Sequence, residues 1–137
     1  MSLFKVFDTA GTAMNAQTVR MNVTSSNLAN AGSVSGDPDK VYRSKQPVFA
    51  TFQDTLKDQA GVAGVRLEGI VESSAPLSMR FQPDHPDADE NGNVYVSNVN
   101  TVEEMVNMIS ASRSYQNNIE IVNTTKDLLT QTLSLGR

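Results

Sequence analysis

Residues 99–135 read VNTVEEMVNMISASRSYQNNIEIVNTTKDLLTQTLSL, a stretch without proline or glycine. Mostly apolar side chains recur in it at alternating spacings of three and four residues. This period predicts one long α-helix with a continuous packing face. At ~1.5 Å per residue the helix is roughly 50 Å long, more than a domain of this size requires. The face consists of Met105, Met108, Ser112, Tyr115, Ile119, Val122, Lys126, Leu129 and Leu133.

The ends of this helix carry their own signals. Thr101 and Glu104 have the spacing of a capping box, and Glu103 adds negative charge to the first turn, where the helix dipole favours it. Gly136 is a stop signal. We therefore assign residues 98–137 to a C-terminal helical segment.

Residues 3–31 have the same character, with one glycine and no proline. A second row at heptad spacing runs along them, made of Phe4, Phe7, Gly11, Met14, Thr18, Met21, Ser25 and Leu28. Glycine, threonine and serine stand in this row where leucine or isoleucine is usual, so its packing face is weak. Only three charged residues precede Asp37, and a helix with so uncharged an exterior is suited to being surrounded by other protein. We assign residues 1–31 to an N-terminal helix.

The middle of the chain predicts β-structure. All five prolines lie between positions 38 and 86, and proline disfavours helix because it lacks a backbone donor and clashes with the preceding turn. Alternating segments predict strands at 41–52, 65–71, 77–81 and 94–96, with turns that include Gly61 and Gly64. We assign 32–40 to a linker and 41–97 to a small β-module. The predicted fold is α+β: long terminal helices pair like a coiled coil, and a small antiparallel β-module is inserted between them.

Composition excludes several classes of function. The net charge of −4 and the pI near 4.8, without a cluster of Lys and Arg, argue against nucleic acid as a partner. The absence of cysteine excludes disulfides and thiolate metal sites. Residues 1–8, MSLFKVFD, are interrupted by charge and do not form a secretory signal peptide, and no segment has the ~20 apolar residues of a membrane span. Any export is expected to use a route without a cleaved signal.

Two features suggest chemistry, and both have a plainer interpretation. Residues 87–92, DADENG, match the start of a calcium-binding loop, but Asn98 stands where the closing glutamate is required. An Asp- and Gly-rich hairpin turn explains the segment without metal. His85, the only histidine, lies between Asp84 and Pro86 without a partner for acid–base catalysis. We therefore expect no catalytic residue, no metal, no cofactor and no small-molecule substrate.

Three segments resemble the bacterial flagellar axial family of rod and hook proteins. Residues 27–30, NLAN, resemble its N-terminal signature, and residues 98–108, NVNTVEEMVNM, resemble its C-terminal signature. Residues 81–89, FQPDHPDAD, and the short length resemble the proximal-rod subunits of the C type. The resemblance spans essentially the whole chain.

The resemblance implies a non-enzymatic structural subunit of the flagellar basal-body rod, located in the periplasmic space and exported unfolded by the flagellar type III apparatus. Family members assemble helically around the export channel and transmit torque. The implied partners are further copies of the chain, other rod proteins, the rod–ring adaptor and the membrane ring. Terminal helices of the family order on assembly, which agrees with the weak packing rows seen here, since ordering costs ~1–2 kcal/mol per residue.

Eleven residues are candidates for packing or subunit contacts. The expected packing residues are Leu28, Met105, Met108, Tyr115, Ile119, Val122 and Leu129. The expected polar contacts between subunits are Asn27, Asn30, Arg113 and Asn117. Arg113 stands out because it is the only charged residue in 105–119. Two rival interpretations remain: another flagellar axial protein, or a small calcium-binding or adhesive β-domain with helical arms.

Overall fold

Two long helices dominate the computed structural model, which describes residues 3–53 and 63–136. Helix α1 spans Leu3–Asn30 and helix α2 spans Thr101–Leu135. Both predicted helices are confirmed. Each is uninterrupted because neither stretch contains a proline, which would break the backbone hydrogen bonds of a helix. No helix in the described part of the chain is both long enough and apolar enough to cross a membrane.

Five strands form two small antiparallel sheets between the helices. The strands are β1 (Val34–Ser35), β2 (Lys45–Gln53), β3 (Ala63–Glu72), β4 (Ser78–Phe81) and β5 (Asn93–Val96). β2 and β3 form a two-stranded hairpin, and the other three form a sheet in the order β1-β5-β4. The α+β class is thus confirmed, although the β-structure is divided between two sheets. The turn predicted at Gly61 lies outside the described residues, and Gly64 belongs to β3.

The segment predicted as a linker contains a strand. Val34 and Ser35 of β1 pair with Val96 and Tyr95 of β5. Gly36 then lies against the turn before β5, where a Cβ atom would overlap the carbonyl oxygen of Asp87. A two-residue strand is too short to produce an alternating pattern, so sequence reasoning missed it.

The N-cap of α2 differs from the prediction. Asn100, not Thr101, precedes the helix, and its Oδ1 accepts from the backbone N–H groups of Val102 and Glu103 at 3.1 and 3.4 Å. Asparagine caps helices as well as serine or threonine does, so the capping box gave a start one residue late. The helix ends at Leu135, next to the predicted stop at Gly136.

The helices form an antiparallel pair, in which the last turns of α1 lie beside the first turns of α2. Thr24 of α1 and Glu104 of α2 line one groove, and the backbone N–H of Ser97 donates to the carbonyl of Ser33 at 3.2 Å. α1 also packs against both strands of the hairpin. Because α2 has 35 residues and α1 has 28, the difference in length falls at the far end of the pair.

The core is very small for a chain of this length. The described residues bury only six apolar side chains, none larger than valine: Ala10, Ala16, Val23, Val41, Val94 and Ala111. Val94 and Asn27 are the largest side chains that are fully buried. Hydrophobic burial within one chain therefore contributes little, since large aliphatic and aromatic residues normally supply it.

Candidate assembly surface and its anchoring junction

The face of α2 that packs within the chain coincides with the predicted face at positions 108, 115, 122 and 129, which are half of its positions. Buried and partly buried residues follow a four-three alternation: Glu104, Met108, Ala111, Tyr115, Asn118, Val122, Thr125 and Leu129. The predicted face used the neighbouring positions 105, 112, 119 and 126 instead. Two of the displaced positions, Ala111 and Thr125, are buried and small, which lets α1 approach closely there.

The seven candidate packing residues divide into two groups. Leu28, Met108, Tyr115, Val122 and Leu129 are partly buried within the chain. Met105 and Ile119 are 49% and 38% exposed, so their packing partner, if they have one, lies outside the described chain.

An apolar stripe lies on the exposed side of α2 at its sheet-proximal end. It consists of Val102, Met105, Val106 and Ile109, which share one helix face and are each about half exposed or more. Arg113 follows one turn later and is exposed, without an ion pair within the described residues. Contiguous exposed apolar surface of this kind marks an interaction site.

The far end of the helix pair is also apolar and exposed. Leu133 and Leu135, in the part of α2 that extends past α1, are 73% and 86% exposed. Phe4, near the start of α1, is 70% exposed. The chain thus presents apolar surface at both ends of its helices.

Asn27 anchors the hairpin to α1. Its Nδ2 donates to the carbonyl of Lys45 at 2.8 Å, and its Oδ1 accepts from the N–H of Lys45 at 2.9 Å. The hydroxyl of Tyr42 donates to the same Oδ1 at 2.8 Å and lies 3.2 Å from the hydroxyl of Ser26. Asn27 is 1% exposed, so its ends of these three bonds are shielded from water, while Tyr42 and Lys45 are partly exposed.

Asn98, which leads into α2, anchors the hairpin from the other side. Its Oδ1 accepts from the N–H of Ser44 at 2.8 Å, and its Nδ2 donates to the carbonyl of Ala75 at 3.0 Å. The guanidinium of Arg43 donates to the carbonyls of Ser73 and Ala75 at 3.5 and 3.3 Å. We call the set Asn27, Tyr42, Arg43, Ser44, Lys45 and Asn98 the junction.

The four candidate polar contacts lie in different surroundings. Asn27 is committed to the junction, and Nδ2 of Asn30 donates to the carbonyl of Ser26 within α1 at 2.8 Å. Arg113 and Asn117 are exposed on α2. The last two therefore remain available to another protein chain.

A groove of about 370 Å³ lies where α1, the hairpin and α2 meet. Arg20 and Lys45 contribute positive charge to it, and Glu103 and Glu104 contribute negative charge. Glu104 is 7% exposed, with no ion pair within 4.0 Å among the described residues. The remaining lining residues are Thr24, Gln46, Pro47, Phe49 and Asn107.

The segment that resembled a calcium loop forms a turn between β4 and β5. Oδ1 of Asp89 accepts from the N–H groups of Asn91 and Asn93 at 2.9 and 2.7 Å, and Gly92 adopts a positive φ of 75°. Nδ1 of His85 accepts from the N–H of Asp87 at 3.1 Å. Within the described residues, no three His, Asp or Glu side chains are grouped to hold a metal ion.

Sequence reasoning found only Asn27 of the six junction residues, and it also missed the buried Glu104. Tyr42, Arg43 and Asn98 contact groups 15 to 54 positions away in the sequence, and no local spacing reveals such pairs. The spacing of Glu104 could have indicated its burial, since it lies on the same heptad row as Met108 and Ala111. Periodicity arguments pass over a charged residue in such a row.

Comparison with known proteins agrees with this architecture. A family model described as "Flagella basal body rod protein" matches residues 7–36, and one described as "Flagellar basal body rod FlgEFG protein C-terminal" matches residues 90–135. The chain is 49% identical over 137 residues to the flagellar basal-body rod protein FlgC of Salmonella typhimurium, and 49% identical over 137 residues to that of Yersinia enterocolitica. Both alignments cover 100% of each chain.

A more distant relative gives the same result. The flagellar basal-body rod protein FlgC of Buchnera aphidicola (subspecies Acyrthosiphon pisum) is 41% identical over 138 residues, covering 99% of each chain. The two family models match the segments that include most of α1 and all of α2, the elements that carry the candidate assembly surface. The chain belongs to the family of flagellar basal-body rod proteins, which are structural components of the rod.

Proposed function

We propose that this protein is a structural subunit of the proximal rod, which assembles helically around the export channel, transmits torque and is needed for flagellum-dependent motility. It acts through subunit contacts and catalyses no reaction. Similarity to rod proteins along the full chain supports this assignment. The calcium-binding or adhesive alternative is not favoured, because the Asp89 carboxylate serves its own turn and the relatives are rod proteins.

The observation that carries the proposal is the exposed apolar stripe of α2 beside a minimal core. Val102, Met105, Val106 and Ile109 expose apolar surface that a lone chain in water leaves uncovered. A helix in a rod is covered by neighbouring subunits, which would supply the burial that six small apolar residues cannot.

The partners follow from this arrangement. We infer that the chain contacts further copies of itself, other rod proteins, the rod–ring adaptor and the membrane ring, and that it occupies the periplasmic part of the basal body. Export by the flagellar type III apparatus fits a chain whose terminal helices complete their packing on assembly. Arg113 and Asn117, exposed on α2, supply the polar contacts between subunits in this proposal.

The test is deletion of the gene in the bacterium that carries it, followed by electron cryotomography of the cell envelope. We expect loss of rod and hook with the membrane ring retained, and recovery when the wild-type gene is restored. Complete flagella in the deletion strain would contradict the assignment.

Complementation with variants tests the surface itself. Ile109→Asp places a charge in the stripe, and Ser110→Asp places one on the neighbouring exposed polar position, which is about 100° around the helix and outside the stripe. We expect the Ser110 variant to restore rods and the Ile109 variant to fail, with both proteins present at wild-type level in the cell. Rods formed by the Ile109 variant would exclude the stripe from the subunit contacts.

A further inference from the structure

The junction joins Asn27 of α1 and Asn98, three residues before α2, to adjacent residues at the start of the hairpin. We infer that Asn27 and Asn98 are positioning residues, which together fix the direction in which the hairpin leaves the helices. The hairpin is then oriented only while α1 and α2 are paired. The consequence of this inference for the rod rests on the proposed function. The contacts themselves lie within one chain.

Asn27 acts as a substitute peptide group. Its amide donates to the carbonyl of Lys45 and accepts from the N–H of the same residue, as a paired residue in an antiparallel sheet does. Lys45 is the first residue of β2, so α1 provides the pairing partner where the strand begins. The bond from Tyr42 fixes the orientation of the amide further.

Asn98 completes the attachment from α2. It accepts from Ser44, next to Lys45, and donates to Ala75, which follows β3. One side chain therefore joins the two ends of the hairpin base to the start of α2. Because Asn27 and Asn98 reach Ser44 and Lys45 from different helical segments, both attachments form together only when the two segments lie side by side.

Few other polar contacts attach the hairpin to the helices. The hydroxyl of Thr12 accepts from the N–H of Val65 at 3.3 Å, farther along α1. Two-stranded hairpins are marginal by themselves, and the exposed Leu67, Ile70 and Val71 of β3 show that much of this one is not covered by the chain. The junction thus fixes the hairpin at its base, and α1 also packs against both strands farther along.

The experiment measures distances between pairs of spin labels in the purified full-length chain by pulsed electron–electron double resonance. One pair, at the exposed positions Thr51 and Ser110, reports the hairpin against α2, and a second pair, at Asn22 and Gln116, reports α1 against α2. In the wild-type chain we expect one narrow distance for each pair. A narrow hairpin distance together with a broad helix-pair distance in the wild-type chain would overturn the inference.

Asn→Asp variants test the contribution of the side-chain Nδ2 donors of Asn27 and Asn98. Asn27→Asp and Asn98→Asp keep the acceptor oxygen and the side-chain size but replace the donating amide by a charge that faces a carbonyl. We expect each to replace the narrow hairpin distance by a broad distribution while the helix-pair distance stays narrow. Asn123→Asp, at an exposed position of α2, is the matched control and leaves both distances unchanged.

Ala111→Glu tests the dependence on pairing. This side chain is fully buried between the helices, so a glutamate there separates them. We expect both distances to broaden together. A narrow hairpin distance in the double Asn27 and Asn98 variant, or in Ala111→Glu with a broadened helix-pair distance, would overturn the inference. Neither readout depends on rod assembly, so failure of the inference and failure of the proposed function are distinguishable.

Discussion

The side-chain amide of Asn27 pairs with both backbone polar groups of Lys45, at 2.8 and 2.9 Å, although 18 positions separate the two residues. A single side chain thus links the last turn of α1 to the first residue of β2. Burial makes this link costly to disturb, because a buried amide without partners loses its hydration and gains nothing in return.

The hydroxyl of Tyr42 is the one group of this network that a substitution can remove without changing the size of the side chain. Tyr42→Phe removes its bonds to Asn27 and Ser26, and we expect the free energy of unfolding to fall by about 1 kcal/mol. Tyr95→Phe is the matched control, since the Tyr95 hydroxyl makes no hydrogen bond with another described residue. Urea denaturation followed by circular dichroism measures both, and equal midpoints would show that the Tyr42 hydroxyl contributes nothing.

The packing face of α2 is tested by two neighbouring positions. Ala111→Glu places a charge at a fully buried site, and we expect a loss of more than about 3 kcal/mol in the free energy of unfolding. Ser110→Glu, one position earlier and exposed, is expected to change the same quantity by less than about 0.5 kcal/mol. Thermal unfolding of both variants gives the comparison, and a stable Ala111 variant would contradict the observed face.

Gly36 is tested against a second glycine nearby. A methyl group at Gly36 overlaps the carbonyl oxygen of Asp87 and lies 3.0 Å from the nitrogen of Asp89, so Gly36→Ala should cost about 1–3 kcal/mol in the free energy of unfolding. Gly32→Ala meets no atom within 4 Å and should be neutral or slightly stabilising. Urea midpoints decide the matter, and two equal values would show that residues 34–36 do not pack on the turn.

The carboxylate of Asp37 predicts a dependence of stability on pH. Its pKa lies below the ordinary value of 3.8, first because the N–H of Asp39 donates to its carboxylate and second because Lys40 lies 3.2 Å away. The stability that this carboxylate contributes is therefore present above pH 3.8 and is lost as the pH falls through the lower folded value. Titration by NMR should find that Lys40→Ala raises the pKa without restoring 3.8, whereas a full return would assign the effect to Lys40 alone.

The sequence predicted the helices well and the contacts between them less well. Absence of proline and glycine, with a sustained period, sets α2 to within one residue at its start. The packing face was displaced at alternate positions because the prediction favoured large side chains such as Met105 and Ile119. In the structure, Glu104 is buried next to the exposed Met105, and Asn118 is partly buried next to the exposed Ile119. Polar residues give no hydrophobic signal that a periodicity argument can read.

The β-structure shows a second kind of limit. Strands of four or more residues could be located from their alternation, whereas Val34–Ser35 is defined only by its pairing with β5. The junction was invisible for the same reason, since Asn98 acquires its role from Ser44 and Ala75. Such residues are recognised only when distant parts of the chain are brought together.

The unequal lengths of the helices affect how the molecule bends. Where α1 lies alongside α2, bending one helix requires moving the other. α2 is seven residues longer than α1, so at its far end it extends at least about 10 Å past the first described residue of α1. A single helix flexes more easily than a packed pair, so the softest part of the pair lies at the exposed Leu133 and Leu135. A neighbouring helix laid against these leucines would stiffen the molecule where it is weakest.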